Sequence, residues 1–324
     1  MTLSVKTAIS FAVTQLDVQG IDAETAKLEA QLLLQHTLKV NRAWLIAHQN
    51  DALETNIHEA YTALINRRVN GEPIAYILGV REFYGLNLKV SLATLIPRPD
   101  TETLVDAALA MIPQNDDTSS PSFRRKSESS GVELLGKKTL DSDFRRNDVL
   151  NILDLGTGSG AIALAIAKHR PQVQVTALDA SQAALDIAIE NAQTLKIPNV
   201  DFALSDWFSA FSQQNNTQKF DLIVSNPPYI EAADAHLKQG DLRFEPLVAL
   251  ASGADGLDAI RSIITQAPQH LNPHGYLMLE HGYNQADKVA ALLKQVGFSQ
   301  IETHKDLGGN NRVTLGCYGT VGGA

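Results

Sequence analysis

The stretch Ile152-Leu153-Asp154-Leu155-Gly156-Thr157-Gly158-Ser159-Gly160, followed at once by the apolar run from Ala161 to Ala167, decides the fold. Its first four residues fit a buried strand, its glycines a tight turn, and the Ala/Ile/Leu run a helix. A buried strand feeding a helix through a glycine turn is the opening unit of a parallel α/β sheet. The alternation continues downstream. Strands are predicted at 173–178, 200–204, 220–225 and 276–280, and helices at 161–168, 183–195, 254–271 and 285–296. Two last strands, near 299–304 and 312–318, follow each other too closely for a helical crossover and should pair antiparallel. The expected fold class is α/β: a doubly wound, mostly parallel, seven-stranded sheet with helices on both faces.

Upstream the character differs. Residues 1–70 repeat apolar side chains at three-to-four spacing, as in Leu28, Leu32, Leu33 and then Ile57, Tyr61, Leu64, Ile65, and show no strand-like alternation. Gly71-Glu72-Pro73 interrupts that pattern. Leu86, Leu88, Val90 and Leu92 then alternate after Tyr84-Gly85, which predicts a hairpin. Ile96-Pro97-Arg98-Pro99-Asp100-Thr101-Glu102 should run extended, with Asp100 or Thr101 capping a helix to about Ile112. Residues 114–148 hold seven acidic and seven basic residues among few apolar ones, which predicts a disordered insertion. The organisation expected is a small N-terminal helical domain (1–75), a hairpin and linker helix (76–113), the insertion (114–148) and a catalytic domain (149–324).

Composition narrows the function classes. The 324 residues are 44% hydrophobic and 19% charged, as in an ordinary globular protein. Net charge is −9, which argues against a partner that is a bare phosphate backbone. The basic pairs Arg124-Arg125, Lys137-Lys138 and Arg145-Arg146 read more simply as a solvated loop. One cysteine, Cys317, cannot make an internal disulfide, and nine scattered histidines give no zinc pattern. No metal is expected. No apolar run approaches the ~20 residues that span a bilayer, so no membrane is expected and the chain is read as cytoplasmic.

The glycine turn is a weak signal alone, since such turns also occur for structural reasons. Asp179, 19 residues after Gly160, ends the second strand, where an acid can accept from ribose hydroxyls or merely cap the next helix. Together they suggest a cofactor of adenosine type without separating NAD from S-adenosylmethionine. Asp206 and Trp207 end the third strand, where Asp206 could meet an adenine amino group. Trp207 could cover the ring or be plain core.

Ser225-Asn226-Pro227-Pro228-Tyr229 carries more. Two prolines end a strand ladder and fix a rigid turn, but such a turn needs neither an amide before them nor an aromatic after. A planar nitrogen is a poor nucleophile because its lone pair is delocalised. Acceptors around its hydrogens, here the Asn226 side-chain carbonyl and the Pro227 backbone carbonyl, can hold it and favour pyramidalisation. Tyr229 offers a flat face. Glu280 and His281, ending the fifth strand, and Arg98 and Glu102 remain open. His281 reads as a structural or substrate-orienting residue more readily than as a base.

Residues 154–160, Asp179 and Asn226–Tyr229 resemble the class I S-adenosylmethionine-dependent methyltransferases that act on planar nitrogen. More narrowly, the chain is similar to the protein-(glutamine-N5) methyltransferases of class-1 peptide chain release factors. The narrower likeness rests on Gly71-Glu72-Pro73-Ile74-Ala75-Tyr76, Arg81-Glu82-Phe83-Tyr84-Gly85 and the 96–102 segment. It rests too on Gln239-Gly240-Asp241-Leu242-Arg243-Phe244-Glu245-Pro246, Leu279-Glu280-His281-Gly282, Asp306-Leu307-Gly308 and Arg312-Val313-Thr314-Leu315-Gly316. It covers nearly the whole chain. The resemblance implies S-adenosylmethionine held by Gly156, Thr157, Gly158, Ser159, Gly160, Asp179 and Trp207, with Asn226 beside both cofactor and substrate. Asn226 and Pro227 would be catalytic, and Pro228 and Tyr229 would complete the glutamine pocket. The helical domain would help recognise the release factor, and the methyl group would go to the glutamine of its Gly-Gly-Gln loop. The insertion departs from the family, whose linker there is short. Two rival readings use a similar loop: a glutamine methyltransferase of a ribosomal protein, against which the 96–102 segment speaks, and an adenine-N6 methyltransferase of nucleic acid, against which the acidic balance speaks. Direct nucleic-acid binding is therefore not expected. A non-catalytic scaffold would have no need of Asn226 and both prolines.

Overall fold

A computed structural model describes residues 3–113, 149–212 and 218–319. The expectation for 114–148 lies outside the described residues.

The N-terminal part is helical. Its helices are α1 (Val5–Asp17), α2 (Ala23–Leu38), α3 (Arg42–Ala47), α4 (Thr55–Val69) and the short α5 (Ile74–Leu78). Local chemistry sets their starts: Ser4, Asp22 and Asn41 each accept a hydrogen bond from the backbone N–H three residues on. Leu16, Leu33, Leu34, Tyr61 and Ile65 meet in a core of their own. The one polar atom Tyr61 brings there is satisfied by the Ala30 carbonyl.

Strands β1 (Val80–Phe83) and β2 (Leu86–Lys89) form the hairpin. Tyr84 and Gly85, both left-handed, make the tight two-residue turn whose twist suits paired strands. Asn191 ties this hairpin to the rest. Its Oδ1 accepts from Lys89 N at 2.7 Å, and its Nδ2 donates to the carbonyls of Lys89 and Ser159 at 3.0 and 2.9 Å. Helix α6 (Glu102–Met111) follows. The cap expected from Asp100 or Thr101 is absent: residues Pro99–Thr101 form a 3-10 turn with no side-chain cap, because Thr101 is turned towards another partner.

The large sheet holds β3 (Asn151–Leu155), β4 (Gln174–Asp179), β5 (Val200–Leu204), β6 (Phe220–Ser225), β7 (Leu271–Glu280), β8 (Phe298–Lys305) and β9 (Asn311–Tyr318). Their order is β5-β4-β3-β6-β7-β9-β8, and only β9 runs antiparallel to its neighbours. The seven-stranded, mostly parallel sheet and the antiparallel closing pair are as the sequence predicts. β7 begins five residues before the expected strand. The helix expected over 254–271 is shorter, at α9 (Asp258–Gln266), and passes into a 3-10 turn at Pro268.

Helices α6, α7 (Ala161–His169) and α8 (Gln182–Leu195) cover one face; α9 and α10 (Ala286–Val296) cover the other. Strand side chains alternate between the two cores. Ile152, Leu222, Val224 and Met278 enter the first; Leu153, Leu155, Ile223, Leu277 and Leu279 enter the second. Burial on both faces explains why these strands read as continuous apolar runs.

Asn191 is buried and fully engaged, so Asn191→Ala should leave Lys89 and Ser159 groups unpaired. The expected loss is about 1–3 kcal/mol in urea unfolding. An unchanged midpoint would mean that Leu86 and Leu88 alone seat the hairpin.

Candidate active site

The doubly wound order reverses between β3 and β6. Leu155 lies opposite Ser225 across these parallel strands, and the Ser225 hydroxyl donates to the Leu155 carbonyl at 2.7 Å. The residues that follow, Gly156 and Asn226, therefore leave the sheet side by side. Both line a cavity of about 610 Å³ at the carboxyl ends of the strands.

Within the glycine loop the residues divide their work. Gly156 and Gly158 are left-handed, at φ 73° and 58°, and line the cavity. A Cβ at Gly158 would meet nothing within 4 Å, and one at Gly156 only the Trp207 ring at 3.7 Å. Side chains there would fill the cavity itself. Gly160 faces elsewhere: its Cβ would lie 3.0 Å from Leu164 Cδ1 and 3.3 Å from Ala188 Cβ, so it lets α7 close on α8. Thr157 and Ser159 are buried behind the wall. The Thr157 hydroxyl donates to Asp154 Oδ2 at 2.7 Å, and Ala163 N donates to the same oxygen at 3.2 Å. Asp154 Oδ1 has no hydrogen-bond partner among the described residues. Complete burial pushes the Asp154 carboxyl up to about 7, against the pull of those two donors.

Asp179 lines the cavity with both oxygens engaged: Oδ2 accepts from Gly158 N and Oδ1 from Ser181 N, each at 2.8 Å. Ser181, not Asp179, caps α8, accepting from Ala184 N through its hydroxyl, while each Asp179 oxygen keeps a second lone pair for a ligand. Asp206 and Trp207 line the same region. Trp207 holds a left-handed φ of 47°, costly for a bulky residue, and its carbonyl takes the Ser205 hydroxyl at 2.7 Å.

Asn226 and Pro228 line the cavity, whereas Pro227 and Tyr229 do not. The Asn226 Nδ2 donates to Thr101 Oγ1 at 3.1 Å. The Tyr229 hydroxyl is turned away from the cavity and donates to Glu280 Oε1 at 3.3 Å. Burial, then the neighbouring Glu280 charge, raise the Tyr229 phenol, so it stays protonated and donates. The loop is buttressed from behind. Gln285 Nε2 donates to the Tyr229 carbonyl at 3.0 Å, and Gly256 is bare where a Cβ would strike that carbonyl at 2.2 Å.

The residues left open by the sequence fall into place as scaffolding. Arg98 pairs with the buried Glu245, whose other oxygen accepts from Ile96 N at 3.1 Å. Glu102 accepts from Tyr84 N at 3.2 Å, so it holds the hairpin. Arg312 spans Asp100 and Asp306 at 3.1 and 3.0 Å. His281 is fully buried, with Nδ1 at 2.9 Å from the Gly282 carbonyl and Nε2 at 2.7 Å from the Thr314 hydroxyl. A carbonyl only accepts, so Nδ1 carries the proton and Nε2 accepts. Both nitrogens are taken and the ring does not line the cavity, which speaks against a base.

Two family models match the chain: a methyltransferase domain over residues 146–312 and a PrmC N-terminal domain over residues 7–79. A curated protein of Xylella fastidiosa, the release factor glutamine methyltransferase, is 45% identical over 90% of this chain and 92% of its own length. The protein of that name from Vibrio cholerae is 42% identical over 99% of both chains. The chain belongs to the release factor glutamine methyltransferase family. The relative from Salmonella typhimurium, at 43% identity over 92% of this chain, carries the same name. Membership extends over the helical part, the hairpin and the sheet together, so the family match and the site geometry concern one continuous structure. Among the described residues no helix is long and apolar enough to cross a membrane, and no cluster of His, Cys, Asp and Glu could hold a metal.

Glu280, like Asp154, is fully buried and raised to about 7, chiefly by burial and against the hydroxyl of Thr101 and the charge of Arg312. A carboxyl raised on folding binds more protons folded than unfolded between its unfolded value, about 4.3, and its folded one. Its stabilisation is full below that window and declines as pH rises to about 7. Glu280→Gln should therefore gain stability relative to wild type as pH rises from 5 to 7, and change little above. Parallel urea midpoints across that range would refute the shift.

Proposed function

We propose that the chain transfers a methyl group from S-adenosylmethionine to the side-chain amide nitrogen, N5, of the glutamine in the Gly-Gly-Gln loop of class-1 peptide chain release factors. The observation that carries this reading is the convergence, on one cavity, of a glycine cradle and an Asn-Pro-Pro-Tyr turn from neighbouring strand ends.

The residues present fit the cofactor. Gly156 and Gly158 leave bare the space that side chains would occupy. Asp179 and Asp206 offer acceptors, Trp207 a flat ring, and the cavity volume suits a nucleoside-sized ligand. When bound, S-adenosylmethionine supplies an electrophilic methyl carbon on a cationic sulfur. The chain's own part is to bind, orient and dry the site. Thr157, Ser159 and Gly160 support the cradle from behind. Asn226 Oδ1 accepts from one hydrogen of the glutamine amide, and the backbone carbonyl of Pro227, which joins the cavity-lining Asn226 and Pro228, accepts from the other; this holds the nitrogen and favours its pyramidal form. No strong base is required for that, since the proton becomes acidic as the nitrogen gains its fourth bond. Pro228 forms the wall beside it. Tyr229 acts through its hydrogen bond to Glu280, which keeps the turn in place. Leu92, Pro246, Val248 and Ala249 line the cavity with apolar surface that a bound ligand would cover, which would help exclude water from the reacting groups. The helical unit of residues 1–75 serves to recognise the release factor, and the reaction takes place in the cytoplasm, where translation factors work.

Asp179→Ala should weaken S-adenosylmethionine binding by about 1.5–3 kcal/mol, the worth of hydrogen bonds to a charged acceptor. Calorimetric titration of the folded variant checks this, and unchanged affinity would remove Asp179 from the site.

Asn226→Ala should bind the cofactor nearly as wild type and transfer methyl about 10²–10³ times more slowly, the usual worth of one preorganised polar group. Single-turnover transfer to a Gly-Gly-Gln-containing release factor, with the labelled residue mapped, is the measurement. Wild-type speed in Asn226→Ala would sink the mechanism. Label on a ribosomal protein or on adenine would sink the substrate.

A further inference from the structure

The two ends of the Asn226 amide are alike in size and opposite in polarity, and only Oδ1 can accept from the nitrogen of an amide substrate. Something must decide which end faces the cavity. Nδ2 donates to Thr101 Oγ1 at 3.1 Å. Thr101 is buried and does not line the cavity; it stands on the far side of Asn226. A hydroxyl can donate or accept, so this contact alone does not choose between the two flips.

Glu280 makes the choice. It is the last residue of β7, its carboxyl is entirely buried, and its Oε2 has no hydrogen-bond partner among the described residues. The Tyr229 hydroxyl donates to Glu280 Oε1 at 3.3 Å, and the Thr101 hydroxyl acts on the same carboxyl as a donor that favours its charged form. Once ionised, above about pH 7, this carboxyl only accepts. Thr101 has one proton, which Glu280 draws to itself, and its lone pairs are left for Asn226. The end of the amide that can satisfy lone pairs is Nδ2. Oδ1 is then turned to the cavity. The reversed amide would set Oδ1 against the lone pairs of Thr101, or take the Thr101 proton and leave a buried carboxylate with one donor fewer.

Building on the methyl-transfer reading above, we infer that Thr101 is a positioning residue for the transfer: its hydroxyl, polarised by Glu280, locks Asn226 with its carbonyl oxygen presented to the substrate amide. Thr101 acts only through Asn226, which separates this role from a general contribution to packing.

The test is a double-mutant cycle in single-turnover transfer to a Gly-Gly-Gln-containing release factor at saturating S-adenosylmethionine and about pH 8, where Glu280 is ionised. Thr101→Val keeps shape and removes the acceptor. It should slow transfer about tenfold or more, with cofactor affinity and release-factor KM within about twofold of wild type. Thr101→Ser should recover most of the rate. In the Asn226→Ala background Thr101→Val should cost nothing further. The inference is overturned by a wild-type rate in Thr101→Val, by Thr101→Ser being no better than Thr101→Val, or by the same loss in both backgrounds. Should Thr101→Val fail to fold, Thr101→Ala is judged by the same criteria. No transfer by the wild-type chain would overturn the methylation reading and this inference with it, whereas normal wild-type transfer with an undiminished Thr101→Val overturns this inference alone.

Discussion

Leu155 and Ser225 sit opposite one another on adjacent parallel strands, and almost everything in the site depends on that register. Parallel pairing puts both carboxyl ends at one edge of the sheet. The reversal of strand order between β3 and β6 sends the following helices to opposite sides and leaves a crevice between them. Slipping the register by one residue would turn Leu155 from one core to the other and exchange the faces of a strand buried on both sides. The apolar cores of the two faces therefore fix, at the sheet edge, the distance between the glycine turn and Asn226. The Ser225 hydroxyl on the Leu155 carbonyl fastens the two loops where they diverge.

Around this edge a second structure has been laid, made of charges. The segment 96–102 passes across the top of the sheet and is fastened at each step. Ile96 and Arg98 are held by Glu245, Asp100 by Arg312, Thr101 by Asn226 and Glu102 by Tyr84 N. Buried ion pairs contribute little net stability once desolvation is counted, but breaking one leaves an uncompensated charge. Such contacts are better suited to specifying one geometry than to holding the fold together. The fold itself rests on its apolar cores, and the polar belt decides where the loops lie on it.

The sequence made the scaffold legible because burial on both faces writes unbroken apolar runs, and because helices of three or more turns write their period. Gly156, Gly158, Asp179, Trp207, Asn226 and Pro228 were also legible, and the structure gathers all six on one cavity. Thr157, Ser159, Gly160, Pro227 and Tyr229 lie in the same motifs but no side chain of theirs lines it, since a motif records what a turn needs as well as what a ligand touches. Asn191, Gln285, Gly256 and Glu245 were missed as functional residues. Each works through two or three hydrogen bonds, or one absent methyl group, mostly across a long sequence separation, and local pattern carries no trace of such contacts. The expected cap at Thr101 failed for the same reason: a tertiary partner, Asn226, outcompeted the local backbone.

The charges near the cavity have an asymmetry that suits a cationic ligand. Asp179 and Asp206 line it, while Arg312 is already matched by Asp100 and Asp306. Asp154 and Glu280 stand one layer back, buried and raised in pKa, with Thr157 and Thr101 between them and the wall. A carboxylate in direct contact with a sulfonium would stabilise the cation most before the methyl leaves it, which slows transfer. A neutral amide such as Asn226 at the reacting end avoids that penalty, because its dipole serves the nitrogen that becomes positive without binding the sulfur's charge as a full anion would. On the methyl-transfer reading, the Asp179 and Asp206 carboxylates draw the cofactor in, and neutral acceptors beside the reacting nitrogen act on the amide. That division explains why the turn carries asparagine and prolines where an acid would at first sight bind a cation better.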